Sequence, residues 1–165
     1  MNDNTATDTF DLRILDELQR DIPLVARPWT AIAARLKIPE PLLLERLRHL
    51  YARGIIRGIS PIIESRALGI SAATLVALPV PEDRLREVAD LISRYPEVSH
   101  NFQRDHAYSL WFTLSAGNQE AVEKVLSEIL EKTGFSRDGI LDLATVKKIK
   151  IDVRFPLLPG TTEVS

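Results

Sequence analysis

The sequence lacks cysteine altogether, and its 165 residues include only three histidines, one methionine and 6% aromatic residues. Without cysteine the chain forms no disulfide, no thiolate nucleophile and no cysteine-ligated zinc or iron–sulfur site, which fits a reducing compartment. No apolar run approaches the roughly 18 residues that span a membrane. The polar residues 1–8 resemble no signal peptide. The sequence therefore predicts a cytoplasmic protein that does not associate with membranes.

A surplus of positive charge is also missing. The chain has 21 Lys and Arg against 23 Asp and Glu, a formal net charge of -2. DNA-binding proteins usually draw their non-specific affinity from an excess of Lys and Arg. Residues 1–60 contain nine basic and eight acidic side chains, a net of only +1. This balance counts against DNA as a partner, while the 45% hydrophobic content is sufficient for a packed core.

Three short amphipathic helices are predicted in the first third of the chain. The first spans Phe10 to Leu18, the second has Pro28 in its first turn, and the third starts at Pro41 and ends before Gly54. The tight, proline-rich turn between the second and third helices is typical of a helix-turn-helix unit. Residues 55–63, which include five isoleucines, are expected to form its β wing.

From about residue 68 the pattern changes to strands alternating with helices. The predicted elements are a strand at 72–80, a helix from Pro81, strands at 97–103 and 107–115, a helix capped by Asn118 and a strand at 140–155. This order is the ferredoxin-like βαββαβ plan. We therefore predict an α+β fold, with a winged helix-turn-helix domain in residues 1–62 and a ferredoxin-like domain in residues 63–165.

The start of the third helix has the wrong residues for reading DNA. A recognition helix needs Arg, Lys, Asn, Gln, Ser or Thr there to reach base edges. This helix instead begins with Glu40, Pro41 and three leucines. We therefore expect no specific DNA binding, and we interpret the helical domain as kept for packing or subunit contacts.

Functional residue types are densest between His100 and Tyr108. Two of the three histidines, an arginine, an asparagine and a tyrosine fall within these nine residues, across a predicted hairpin. A tight turn would bring His100, Arg104, His106 and Tyr108 together near one end of the sheet. A hairpin histidine is also commonly a plain surface residue, so this pattern alone does not identify a site.

Residues 100–113, which read HNFQRDHAYSLWFT, resemble the His-Asn-Tyr-x-Arg-x-His-x-Tyr-Asn-x-Trp-Phe-Thr signature of the siroheme decarboxylases. These enzymes are a branch of the Lrp/AsnC-like family. Two further stretches match in the right order. Residues 56–59 and 65–69 are similar to that family's Ile-Arg-Arg-Ile-Gly and Arg-x-Leu-Gly stretch, and residues 21–28 to its Asp-Phe-Pro-Leu-x-x-Arg-Pro.

The resemblance implies a carboxy-lyase. The siroheme decarboxylases remove carboxyl groups from two acetate side chains of siroheme, giving 12,18-didecarboxysiroheme on the alternative route to heme or heme d1. It also implies a homologous second subunit, with which the chain would form a heterodimer. No cofactor is expected beyond the iron of the siroheme substrate.

Site residues follow from this resemblance and from the chemistry of a flat iron macrocycle with many carboxylates. The expected catalytic residues are His100, His106 and Tyr108. The expected substrate-binding residues are Arg57, Arg66, Asn101, Arg104, Trp111 and Phe112. No metal site is expected from the protein alone, although His100 or His106 would suit as an axial ligand to the substrate iron. Which histidine is the ligand and which supplies a proton stays open from the sequence.

Two alternatives also stay open. Phe102, Ser109 and Gly58 differ from the Tyr, Asn and Arg usual in the family, so the chain could be a non-catalytic scaffold for its partner. The second alternative is an Lrp/AsnC-type transcription regulator that senses a small molecule. The acidic, leucine-rich start of the third helix is the feature that separates this regulator from an enzyme.

Overall fold

The computed structural model describes residues 7–147, 149–150 and 153–158. These residues form two compact units: a helical unit, of residues up to 61 together with 153–158, and a sheet unit, of residues 62–150. The sequence places its boundary one residue later and assigns the C-terminal residues to the second domain. In the structure, however, the side chain of Gln19 makes two hydrogen bonds with the backbone of Phe155, at 2.8 and 3.2 Å.

The helical unit contains the three predicted helices. They are α1 (Thr9–Arg20), α2 (Pro28–Leu36) and α3 (Glu40–Ala52). The Asp8 carboxylate caps α1 by accepting a hydrogen bond from the Asp11 amide at 2.7 Å. Gly54 follows α3 with a φ of +70°, a left-handed conformation that glycine adopts without steric cost. The buried core of the unit consists of Ile14, Ile32, Ala33, Leu36 and Leu43.

The expected β wing does not form a strand. Residues 56–64 have no regular secondary structure, and Ile59, Ile62 and Ile63 are all more than half exposed. A strand needs a neighbour that pairs with its backbone groups, and the described chain offers this segment none. The next element is a short 3₁₀ turn, Ser65–Leu68.

The sheet unit confirms the predicted order of elements. They are β1 (Ala72–Leu78), α4 (Leu85–Ile92), β2 (Val98–Gln103), β3 (Leu110–Ala116), α5 (Gln119–Thr133) and β4 (Leu141–Ala144). The four strands form an antiparallel sheet in the order β2-β3-β1-β4. Asn118 caps α5, as predicted, by accepting a hydrogen bond from the Ala121 amide at 2.8 Å.

Only one face of the sheet is covered by the helices of this unit. Val76, Phe112 and Leu114 on that face pack with buried side chains of α4 and α5.

Strand β4 ends at Ala144, well before the predicted end at residue 155. Part of that prediction, residues 148 and 151–152, lies outside the described residues. Within the described ranges, no helix is long and apolar enough to cross a membrane.

Candidate active site

The pairing of β2 with β3 decides which side chains share the face of the sheet opposite α4 and α5. His100 lies opposite Thr113, and Phe102 lies opposite Trp111. Because side chains alternate along a strand, these four point to one side, while the intervening Asn101 and Phe112 point toward the helices. One face of this two-stranded hairpin therefore carries an imidazole, a hydroxyl and two aromatic rings.

A β-bulge at Ser99 interrupts this pairing. Val98 pairs with Leu114 and His100 with Thr113, so Ser99 is an extra residue on β2. Its hydroxyl oxygen lies 3.0 Å from His100 Nδ1 and 2.8 Å from Thr113 Oγ1. The bulge thus brings a hydroxyl pair alongside one nitrogen of the His100 ring.

The loop between β2 and β3 is held by its own hydrogen bonds. The Arg104 amide donates to the Ser109 carbonyl at 2.7 Å, and the His106 amide donates to the Arg104 carbonyl at 3.0 Å. The Tyr108 amide donates to His106 Nδ1, also at 3.0 Å. The His106 side chain is thereby part of the loop's internal bonding.

Aromatic contacts fix the ring of His106 further. It stacks with Tyr108 at a centroid distance of 6.0 Å and an interplanar angle of 18°, and it meets Trp111 at 6.4 Å. The indole Nε1 of Trp111 donates to the Tyr108 carbonyl at 2.7 Å. The second half of the loop is therefore held against Trp111 of β3.

Arg104 lies at the start of the loop with its guanidinium stacked on an aromatic ring. Its Cζ atom is 4.8 Å from the centre of the Phe102 ring, and its Nη1 donates to the Gln103 carbonyl at 3.2 Å. Phe102 in turn stacks with His100 at 5.9 Å. The cation is oriented by these contacts, which leaves the rest of its planar fork for an anion.

These groups line a cleft of about 590 Å³. Its lining residues are Leu75, His100, Phe102, Arg104, Asp105, His106, Trp111, Phe112 and Thr113. Cavities of this size, apolar with a few convergent polar groups, are typical of small-molecule sites. A flat ligand with carboxylates at its edge would find aromatic walls, a guanidinium and two imidazoles here.

The structure brings together most of the residues that the sequence predicted. His100, Arg104, His106, Trp111 and Phe112 all line the cleft, and Tyr108 contacts His106 directly. The Phe112 side chain is only 1% exposed and points toward the helices, so Phe112 borders the cleft without presenting its ring to it.

Three predicted binding residues do not line this cleft. Arg57 belongs to the helical unit, and Arg66 lies in the 3₁₀ turn before β1. Asn101 faces the other side of the sheet, where its amide donates to the Ala89 carbonyl at 3.0 Å and to Ser93 Oγ at 3.1 Å. Strand alternation turns the Asn101 side chain toward α4, so the substrate contact suggested by the sequence stays a prediction that this arrangement does not favour.

Sequence reasoning missed several residues of the site. Ser99 and Thr113 bond His100, Leu75 lies opposite Thr113 on the neighbouring strand β1, and Asp105 is the acidic member of the lining. Strand register would have pointed to Thr113 and Leu75, but the bulge that turns Ser99 into the site leaves no mark in the sequence. Across the described part of the chain, no group of three or more His, Cys, Asp or Glu could hold a metal ion.

Comparison with known proteins connects both units to one family. Residues 11–57 match the family model described as a siroheme decarboxylase NirDL-like HTH domain, and residues 67–150 match the AsnC-like ligand binding domain. The siroheme decarboxylase NirD subunit of Pseudomonas aeruginosa is 42% identical over 150 residues, covering 91% of this chain and 97% of that subunit. The NirG subunit of the same organism is 33% identical over 150 residues, with 91% and 99% covered.

A solved structure agrees with these relatives. The crystal structure of the siroheme decarboxylase NirDL in co-complex with an iron-uroporphyrin III analogue matches with a TM-score of 0.63 and 38% identity. The match covers 82% of this chain and 44% of that chain, so the present chain spans less than half of the NirDL polypeptide. The chain belongs to the family of siroheme decarboxylase subunits.

Proposed function

We propose that this chain works as a subunit of a siroheme decarboxylase and that siroheme binds in the cleft on the open face of the β2–β3 hairpin. The observation that carries the proposal is the convergence of His100, Arg104 and His106 with two aromatic walls on one 590 Å³ cleft. A tetrapyrrole with carboxylate arms needs an apolar slot and a cationic rim. Both are present in residues that belong to the family's signature.

The residues divide by what they offer a bound macrocycle. Arg104 pairs with a side-chain carboxylate, and the rings of Trp111 and Phe102 form the walls of the slot, while the ring contact suggested by the sequence for Phe112 stays a prediction. In this proposal His100, His106 and Tyr108 move or hold protons: the two histidines line the cleft, and Tyr108 stacks with His106. Arg57 and Arg66 remain predictions of the sequence, since neither lines the cleft.

The reaction is the loss of carbon dioxide from two acetate arms, giving 12,18-didecarboxysiroheme. The bond between the methylene carbon and the carboxylate breaks, and its electron pair stays on the methylene carbon next to the conjugated macrocycle. A proton then adds to that carbon, which leaves a methyl group. Because the macrocycle itself accepts the charge, the protein has only to fix the arm, exclude water and deliver a proton, and no cofactor beyond the substrate iron is needed.

A homologous second subunit completes the enzyme in this proposal. The Pseudomonas aeruginosa relatives are named as two different subunits of siroheme decarboxylase, which supports a heteromeric assembly. In the sheet unit the apolar side chains of Ile62, Ile63 and Leu68 are exposed, between 60% and 86%. Such a group is available for contacts with another chain. The absence of cysteine fits a place in the reducing cytoplasm.

A DNA-binding function is favoured by the helix-turn-helix unit but not by its contacts. Glu40 at the start of α3 accepts a hydrogen bond from Thr30 and pairs with Arg27 at 3.6 Å. Arg46 on α3 pairs with Asp8 at 3.0 Å and with Asp11 at 3.4 Å, so its charge is directed at α1. These contacts use the polar groups of α3 to hold the three helices together.

The test is decarboxylation by purified protein. The protein, alone and together with its homologous partner, is mixed with siroheme under anaerobic conditions. We expect a shifted absorption spectrum and release of carbon dioxide. His106→Ala and Arg104→Ala should each lower turnover about a hundredfold. His49 is exposed on α3 and serves as the control, so His49→Ala should leave turnover unchanged.

Two results would count against the proposal. A wild-type complex that binds the ring yet leaves every acetate intact contradicts decarboxylation. Full turnover in both the His106→Ala and Arg104→Ala variants, in a complex containing this chain, would place the chemistry in the partner and make this chain its scaffold.

A further inference from the structure

The two histidines of the cleft differ in the partner that each Nδ1 atom meets. His106 Nδ1 faces a backbone amide, whereas His100 Nδ1 faces two side-chain hydroxyls. We propose that this difference divides their work: His106 is a fixed hydrogen-bond donor to a substrate carboxylate, and His100 delivers the proton that replaces carbon dioxide. The inference rests on the proposed function and assigns the roles that the sequence leaves open.

The tautomer of His106 follows from its bond to the loop backbone. The Tyr108 amide lies 3.0 Å from His106 Nδ1, and a backbone N–H can only donate. Nδ1 must therefore present its lone pair, and the hydrogen of the neutral imidazole is carried on Nε2. Stacking with Tyr108 and the edge contact with Trp111 hold the ring in this position.

An imidazole held in this tautomer offers one kind of contact to a ligand in the cleft. Its Nε2–H donates a hydrogen bond to a carboxylate oxygen. To bind iron through Nε2, the ring would have to move its hydrogen to Nδ1, directly against the Tyr108 N–H. A doubly protonated ring would meet the same opposition. His106 is thus suited to hold an acetate arm and unsuited to ligate the iron or supply protons.

His100 is under no such restriction. Its Nδ1 lies 3.0 Å from Ser99 Oγ and 3.4 Å from Thr113 Oγ1, and these two oxygens lie 2.8 Å apart. A hydroxyl both donates and accepts, and its hydrogen rotates to suit its neighbour. The Ser99–Thr113 pair can therefore accept a hydrogen bond from Nδ1–H or donate one to a bare Nδ1. The hydroxyl pair bonds His100 in either state, so the ring can release and regain a proton.

The proposed step is balanced by these residues alone. The carbon–carbon bond of the acetate breaks, carbon dioxide leaves, and the methylene carbon keeps the electron pair. His100, protonated on both nitrogens, transfers its Nε2 proton to that carbon and becomes neutral. Because the His100 side chain is exposed, water then returns the proton. His106 gives up no proton in this cycle.

The first experiment reads the tautomers directly and does not depend on activity. The full chain is labelled with ¹⁵N-histidine, and its ring nitrogens are observed at pH 8, with His100→Gln, His106→Gln and His49→Gln used for assignment. We expect a bare Nδ1 and a protonated Nε2 for His106. A protonated Nδ1 with a bare Nε2 on His106 would overturn the inference, whatever the enzyme does with siroheme.

The second experiment separates the two roles during turnover in the complex with the homologous partner. In His106→Gln the glutamine amide keeps an N–H donor, so we expect kcat to fall by less than about tenfold. In His100→Gln the proton donor is lost, and kcat should fall by about a hundredfold or more. Added imidazole should restore turnover to His100→Ala and not to His106→Ala.

The outcomes distinguish this inference from the proposed function. If wild-type complex releases no carbon dioxide, the proposed function fails, and the tautomers are still decided by the nitrogen spectra. If carbon dioxide is released but His106→Gln is as damaging as His100→Gln, or imidazole restores His106→Ala instead, the division of roles is wrong. A histidine-to-iron bond that disappears only in His106→Ala would also overturn it.

Ser99 is a positioning residue in this scheme. Ser99→Ala removes the nearer hydroxyl from His100, while Ser99→Thr restores one at the same position. We expect Ser99→Ala to lower kcat with little change in KM, and Ser99→Thr to recover most of the loss. Equal losses in both variants would mean that Ser99 matters only for the shape of the bulge.

Discussion

The guanidinium carbon of Arg104 lies 4.8 Å from the centre of the Phe102 ring. An arginine stacked in this way presents its planar fork in a fixed direction, which a lysine cannot reproduce. The contact joins the last part of β2 to the loop that carries His106. The orientation of the cleft's cation thus depends on an aromatic residue that never needs to touch the reacting carbon.

Replacing Arg104 tests this orientation. We expect Arg104→Ala to lower kcat/KM about a hundredfold, since an anchoring ion pair is lost, and Arg104→Lys to recover only part of it. Steady-state kinetics of the complex with its partner measure both. Arg94→Ala is the matched control, because Arg94 is an exposed arginine just after α4, away from the cleft. Full recovery of kcat/KM in Arg104→Lys would show that a positive charge alone, without the planar guanidinium, is sufficient at this position.

Asn101 is expected to affect stability and not substrate affinity. Its amide donates to the Ala89 carbonyl and to Ser93 Oγ, linking β2 to α4. Asn101→Ala should lower the free energy of unfolding by about 1–3 kcal/mol, because these groups lose their partner. Urea unfolding measures the loss, with the exposed Gln103→Ala as control. A raised KM with unchanged stability would instead support the substrate contact that the sequence predicted.

Trp111 supplies both a wall of the cleft and a hydrogen bond to the loop. Its Nε1 donates to the Tyr108 carbonyl at 2.7 Å. Trp111→Phe keeps an aromatic wall and loses the bond, so siroheme should bind only a few-fold more weakly; Trp111→Ala should weaken binding about tenfold or more. Anaerobic absorption titrations give both constants. Unchanged affinity in Trp111→Ala would place the macrocycle elsewhere.

Asp8 makes the helical unit sensitive to acid. The pKa of Asp8 is held below its ordinary value, chiefly because the Asp11 amide donates a hydrogen bond to the Asp8 carboxylate. The positive charge of Arg46 lowers the pKa further, while desolvation opposes both effects. A carboxyl whose pKa is depressed in the folded state contributes stability above its unfolded pKa of about 4, and this is lost as the pH falls through the lower, folded value.

Thermal unfolding of Asp8→Ala checks this expectation. At pH 7 we expect Tm to fall by a few degrees, and the difference from wild type should shrink at pH 3. Asp8→Asn keeps a capping side chain and loses the charge, so it should fall between the two. An equal difference at pH 7 and pH 3 would mean that the charge of Asp8 contributes nothing.

The helical unit should bind DNA only weakly. Of the two arginines in α3, Arg46 is paired with Asp8 and Asp11, so only Arg48 is left to contact phosphates from this helix. Fluorescence anisotropy with duplex DNA should show no sequence preference and a loss of binding by about 200 mM salt. Tight, salt-resistant binding to one DNA sequence would instead support a function as a transcription regulator.

Helix bounds and strand order were predictable because they depend on local patterns. Pro28 marks the start of α2, Asn118 that of α5, and Gly54 follows the end of α3, and each does so through backbone chemistry that is specific to its residue type. The prediction of a β wing was wrong because strand pairing does not depend on local patterns alone. Its residues have strand-forming side chains, but whether they pair depends on a neighbour that the local sequence does not specify.

The sequence by itself determined the family, the order of elements and the list of chemical groups, since the signature at residues 100–113 names two imidazoles, a guanidinium and an indole. Only the tertiary structure decided which of them share a cleft. The register of β2 against β3 turned Asn101 away and brought Thr113 in, and the bulge at Ser99 placed a hydroxyl on His100. A backbone amide faces His106 instead. Such contacts depend on hydrogen-bond geometry between neighbouring strands and within one tight loop, which residue spacing alone does not fix.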